Sequence, residues 1–303
     1  MTEGVSMQGV SYDVLARRRL GRRLRKMRDA AEMPPVEAAL RANLTESVLE
    51  RLERGDFAAT PPLARSLMRL YGQNDRAVVA GILDLVTQAW QPGWWSDLPH
   101  QAEGYLAWEA SAANKYEVAT SRLPELLQTK AYAGTVWLGL TAHYDPREAE
   151  RTIQTNLDEL ALRQYRLVYC PVMRLHAVVT EAAVRAVVGG ELVMLAQWLY
   201  LERAARSQAV TLRVLPADAP VQTRSGNGWQ LLEFADTQEP PRLFRKTGTV
   251  RGYQPVSGHA AVRRAREQFE RLCAASLSPD DSAVFLKGLI DETIAAHPVA
   301  VRL

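Results

Sequence analysis

The sequence predicts a mainly α N-terminal helix-turn-helix domain followed by a helix-rich α+β C-terminal domain. Three observations carry this reading. Residues 14–75 resolve into consecutive short helices separated by turn residues, the first of them crowded with arginine. The stretch Gln91-Pro92-Gly93-Trp94-Trp95 interrupts the helical periodicity and reads as a hinge whose paired tryptophans dock on a neighbouring surface. Beyond it, short and partly alternating apolar segments stand between longer helical ones, in a chain of 303 residues that is long enough for two cores.

Residues 1–13 read as a flexible arm, and residues 14–75 as the helix-turn-helix domain. A helix over about 14–31 is indicated by Leu15, Leu20, Leu24 and Met27, which recur on one face opposite the arginines. Pro34-Pro35 can open the next helix, because proline fits its first position, and Val36, Ala39 and Leu40 are expected to form its inner face. Asn43 suits the left-handed backbone of a tight turn. Thr45 is placed to cap a third helix whose Leu49 and Leu52 face inward and which Gly55 ends. Helices follow at about 62–71 and 75–89, so residues 76–98 form a helical connector and hinge.

The C-terminal domain then covers 99–303. Helical patterns lie at about 101–120, 123–133, 146–166, 190–206, 258–276 and 279–296. Strand candidates lie at about 173–179, 210–215, 229–234 and 243–247, with an edge at 250–253. Val188-Gly189-Gly190 lacks the frame of a phosphate loop and reads as a helix end.

Charge is the most informative property. From Arg17 to Arg28 the segment RRRLGRRLRKMR carries eight basic residues and no acid, although the whole chain has a net charge of only +3. That polarity calls for an anionic partner at the amino end. In a helix-turn-helix, Arg17, Arg18, Arg22, Arg25 and Arg51 would contact phosphates, while the outward Glu46, Ser47 and Glu50 would discriminate bases. The competing reading is a solvated arginine face and a helix-turn-helix kept only as scaffold. In the C-terminal domain the tryptophans, Trp108 among them, could line a ligand pocket or serve as ordinary packing. Gln128, Thr129 and Tyr132 could line a pocket or partner groove, or equally be a cap and a buried phenol.

Other classes are disfavoured. The opening residues show no secretory signal and the apolar runs are too short to span a bilayer, so a cytoplasmic protein without membrane association is expected. Cys170 and Cys273 read as buried thiols, and the five histidines have no metal-ligand spacing. No nucleophile elbow is present, and Glu109 and Glu181 read as buried or helix-end carboxylates. Neither an enzyme nor a cofactor is expected.

The sequence resembles actinobacterial WhiJ-like regulators, which join a λ-repressor-like (XRE-family) helix-turn-helix to a sensor-like domain of unknown function. The likeness runs through LGRRLRKMRDAAEM and TESVLERLERG in the first part, and through GWW at 93–95, YLAWE at 105–109, PELLQTKAYA at 124–133, TEAAVRAVVGG at 180–190, VLP, LLEF and SLSPDDS in the second. It implies a DNA-binding transcriptional regulator acting on double-stranded DNA as a homodimer, with the second domain dimerising and sensing a ligand or a small neighbour-encoded protein. Two departures stand out: Pro34 and Pro35 replace a threonine and a glutamine, and the third helix is acidic where uncharged residues are usual. They favour, as the alternative, a protein-interaction adaptor or antitoxin-like partner that no longer reads DNA.

Overall fold

The computed structural model describes residues 13–93, 95, 104–169, 173–220, 228–247 and 252–296. The arm expected at 1–13 lies outside these residues except for Asp13, as do Trp94, Cys170, His100 and His297. The chain divides into two compact units, Met1–Ser111 and Ala112–Leu303.

In the first unit, α1 (Val14–Ala30) begins at Asp13, whose carboxylate accepts from the amides of Leu15 and Ala16. α2 (Pro35–Arg41) and α3 (Glu46–Arg54) are joined by a turn in which Asn43 has φ +57°. Thr45 caps α3 by accepting from the Val48 amide, and Gly55 closes it with φ +83°. α4 (Pro61–Leu70), α5 (Arg76–Ala89) and α6 (Tyr105–Ser111) complete the unit. Leu20, Leu24, Leu49, Leu52, Leu67 and Val86 form its core.

The inner face of α2 differs from the sequence expectation. Ala38 and Ala39 are buried, whereas Val36 and Leu40 are 59% and 78% exposed. Their i, i+4 spacing imitates a core stripe, but the side that packs is the alanine side, because small residues let α2 approach its neighbours closely.

In the second unit the described residues hold a six-stranded sheet in the order β3-β2-β1-β4-β5-β6. Its strands are β1 (Asn114–Ala119), β2 (Arg174–Thr180), β3 (Val210–Leu215), β4 (Trp229–Glu233), β5 (Arg242–Lys246) and β6 (Tyr253–Val256). β1, β2 and β3 are parallel, and β4, β5 and β6 continue antiparallel from β1. The parallel strands are connected through α7 (Lys130–Leu140) and α8 (Pro146–Tyr169), then through α9 (Glu181–Arg185) and α10 (Glu191–Ala205). α11 (His259–Ala275) and α12 (Pro279–Ala296) end the described chain. One sheet face packs Leu175, Ala177, Val179 and Leu212 against residues of α10 and α12. The other packs Val118, Val178, Trp229 and Leu231 against Phe269 and Leu272 of α11.

Four sequence expectations are corrected here. The helix expected over 101–120 stops at Ser111 and gives way to β1, a central strand. The helix expected over 123–133 is a 3-10 turn, Glu125–Leu127, broken by extended backbone at Gln128 before α7 begins. Gly189 and Gly190, both with positive φ, lead into α10 rather than ending a helix, since α9 already stops at Arg185. The edge strand falls at Tyr253–Val256, and positions 250 and 251 lie outside the described residues.

Candidate nucleic-acid interface

The arginine run is sorted by the helix it occupies. Arg18, Arg22 and Arg25 stand at i, i+4 and i+7 on one stripe of α1, and Arg19, Arg23 and Lys26 on a second stripe beside it. Arg28 falls on the opposite side and is buried, where it forms a two-point ion pair with Glu53 of α3. Its pKa is raised, first by the hydrogen bond from its guanidinium to Glu53. Tyr71 lies in the same field, and burial pushes its phenol up to about 12. Arg28 also donates to the Met33 carbonyl, so this cation serves the packing of the helices.

Among the proposed phosphate contacts, Arg22 is half-buried and Arg25 has a side chain 64% exposed, 3.8 Å from Asp29 across a solvated pair. Arg18 is engaged differently. Its Nη1 donates to the Arg54 carbonyl at the end of α3, and its guanidinium lies 5.7 Å from the centroid of the Trp108 ring. A cation there complements the negative end of α3. Arg17 is half-buried and its Nε is enclosed by protein. Sequence alone could not separate these four, because a continuous run of arginine hides which positions turn inward.

The backbones of α1 and α3 meet closely. A Cβ on Gly21 would lie 2.5 Å from the carbonyl oxygens of both Leu52 and Glu53, and one on Gly55 would lie 2.6 Å from the Arg18 Cα. The two helices can approach only because these positions carry glycine.

On α3, Glu46, Ser47, Glu50 and Arg51 are all exposed, on the face away from Leu49 and Leu52. Glu50 is 3.9 Å from Arg54, which also pairs with Asp56, and the Arg51 guanidinium sits 5.8 Å from the Phe57 ring centroid. The exposed row is therefore polar and of mixed charge. Glutamate there can accept from cytosine N4, and arginine can reach guanine or a phosphate. Sequence reading missed the exposed pair Val36 and Leu40 on α2 because their spacing looked like a core signal.

The four C-terminal site candidates separate. Trp108 belongs to α6 in the first unit and packs under Arg18. Thr129 caps α7 by accepting from the Tyr132 amide, and its own amide donates to Gln197 Oε1. Tyr132 is fully buried, its hydroxyl accepting from the Leu123 amide, and burial raises its pKa. These two are the cap and the buried phenol. Gln128, also buried, donates to the Leu123 carbonyl and lines a cavity of about 50 Å³ in the second unit.

Beside that cavity lies a chain of buried charge the sequence did not reveal. Glu117 Oε1 is 2.8 Å from Lys246 Nζ, and Glu117 Oε2 is 3.3 Å from Lys115 Nζ. Arg163 bridges Glu125 at 3.0 Å and Glu159 at 3.3 Å, and Tyr253 donates its hydroxyl to Glu125. Burial alone would push Glu125 up, yet Lys246, Arg163 and the Tyr253 hydroxyl hold it at about 2. Burial likewise opposes ionisation of Glu117 and Lys246, and their opposite charges overcome it, lowering the one and raising the other. Glu109 accepts from Tyr105, and Glu181 accepts from Arg185 and the Ala217 amide, so both have structural partners.

Among the described residues, no group of three histidine, cysteine or carboxylate side chains is gathered as a metal site, and no helix is long and apolar enough to cross a membrane. Residues 19–80 match the model of a helix-turn-helix domain, and residues 102–288 match that of a domain of unknown function, DUF5753. Neither a curated protein nor a solved structure matches the chain.

Proposed function

The chain belongs to the family of the domain of unknown function DUF5753, joined here to a helix-turn-helix domain, and from that premise we propose that it is a DNA-binding transcriptional regulator of the XRE, WhiJ-like kind. The observation that carries the proposal is α3. It is a capped helix with its apolar side buried and Glu46, Ser47, Glu50 and Arg51 presented outward, next to a helix with a stripe of arginine. Arg22 and Arg25 supply phosphate contacts that set the register, with Arg51 close to the bases. Arg17 and Arg18 act chiefly by fixing α1 against α3. Two copies bind half-sites about 34 Å apart, and the C-terminal domain dimerises and responds to a ligand or a small neighbour-encoded protein. We place the protein in the cytoplasm and assign it no catalytic activity.

The test is selection of binding sites from a random double-stranded DNA pool at stated salt, repeated with Arg51→Glu. An enriched site with two-fold symmetry, lost in the variant, is the expected result. Absence of any enriched sequence would overturn it. The adaptor reading draws on exposed Val36 and Leu40, an apolar pair suited to a protein surface. Co-purification of a small protein without DNA enrichment would favour it.

A further inference from the structure

Arg122 adds a cation to the cavity that Lys246 and Glu125 of the buried charge chain also line. It is half-buried, lines the same cavity as Lys246 and Gln128, and makes no hydrogen bond or ion pair among the described residues.

We propose that this cavity is an anion site that takes the carboxylate or phosphoryl head of a small metabolite, with Arg122 as its principal cation and Lys246 as the second. Its position suits that use. The cavity lies at the carboxyl end of β1, the strand where the sheet changes from parallel to antiparallel neighbours, and ligands of open α/β sheets gather at such ends. Gly228 lets the chain entering β4 lie close against β1 at this end, since a Cβ would fall 2.0 Å from the Val118 carbonyl oxygen. Val136, Trp137 and Leu140 of α7 give one apolar wall, against which the uncharged remainder of a ligand can lie.

Size narrows the class further. About 50 Å³ accommodates a compact head group and excludes a drug-sized molecule. An arriving anion meets Arg122 without displacing a partner among the described residues, and competes with Glu117 and Glu125 for Lys246. Occupancy therefore pulls on β1, β5 and the 3-10 turn together. The site names a ligand class for the sensing role proposed above, and rests on that reading only for its effect on DNA.

The full chain, without DNA, is titrated by calorimetry with sodium phosphate and with sodium acetate at constant ionic strength made up with sodium chloride. Saturable binding of one of them is expected, weakened about ten-fold or more in Arg122→Ala and partly restored in Arg122→Lys. The preferred anion distinguishes a phosphoryl from a carboxylate ligand. Leu140→Trp, which fills the cavity, should also abolish binding, and it carries the test if Arg122→Ala fails to fold. Equal binding by wild type and both blocking variants, or no saturable binding beyond chloride, would overturn the proposal. Because DNA is absent, this result and that of the site selection fail independently.

Discussion

Arg28 and Glu53 meet in a buried two-point ion pair, Nε to Oε1 at 2.7 Å and Nη2 to Oε2 at 2.9 Å, that ties α1 to α3. One cation of the basic run is thereby withdrawn from any anionic partner. Removing one member of such a pair strands a buried charge, at a cost of about 3–5 kcal/mol. Arg28 keeps Asp29 at 2.9 Å and the Met33 carbonyl, so Glu53→Gln should lower the stability of the helical unit by less than that, about 1–3 kcal/mol, in urea denaturation. Joint replacement, Arg28→Met with Glu53→Leu, should recover most of it. A single variant as stable as wild type would show that the pair contributes nothing.

The arginines of α1 should differ in what they do to salt dependence. Each phosphate contact contributes a slope of about 0.9 in log affinity against log salt. Arg25→Ala and Arg22→Ala should each flatten the slope by about that amount with little change in stability. Arg18→Ala, which removes the contact with the Arg54 carbonyl, should lower stability instead. Identical slopes in all three variants would contradict this division.

Glu125 gives the second unit an acid limit. Its folded pKa of about 2 lies below the ordinary 4.5, so its contribution is fully present above pH 4.5 and disappears as pH falls towards 2. A quarter of the side chain faces solvent, which holds the contribution to roughly 2 kcal/mol. Glu125→Gln should flatten the stability profile between these pH values, as followed by circular dichroism. An unchanged acid limb would show that other groups control it.

Tyr71 sets an alkaline limit in the first unit. Burial raises its pKa from 10.0 to about 12, so stability is full below pH 10 and falls as pH rises towards 12, where the unfolded chain ionises first. Its hydroxyl is buried with no hydrogen-bond partner among the described residues. Tyr71→Phe should therefore keep neutral-pH stability and extend the alkaline limb. A loss above about 1 kcal/mol at pH 7 would mean that the hydroxyl is satisfied.

Sequence reading succeeded where one periodicity and one stop signal agreed. α3 was legible because Thr45, the Leu49–Leu52 face and Gly55 each say the same thing, and β3 because its apolar residues alternate at Val210, Leu212 and Val214. β1 was not. A strand enclosed on both faces normally reads as an apolar run, but here Lys115 and Glu117 are wholly buried, with Glu117 between the ammonium groups of Lys115 and Lys246. Those partners come from different parts of the chain, so no local window contains the signal. The proposed interface was half legible. The exposed row on α3 follows from helical spacing, while the fates of Arg17, Arg18 and Arg28 depend on where α3 and α6 pass α1.

The missing side chain at Gly21 has a consequence for control. With the carbonyls of Leu52 and Glu53 seated on that bare backbone and Arg28 bolted across the same seam, α3 has no hinge of its own. Under the function proposed above, tilting α3 within its domain would break that seam, so a regulatory signal would have to act on where the whole headpiece is carried.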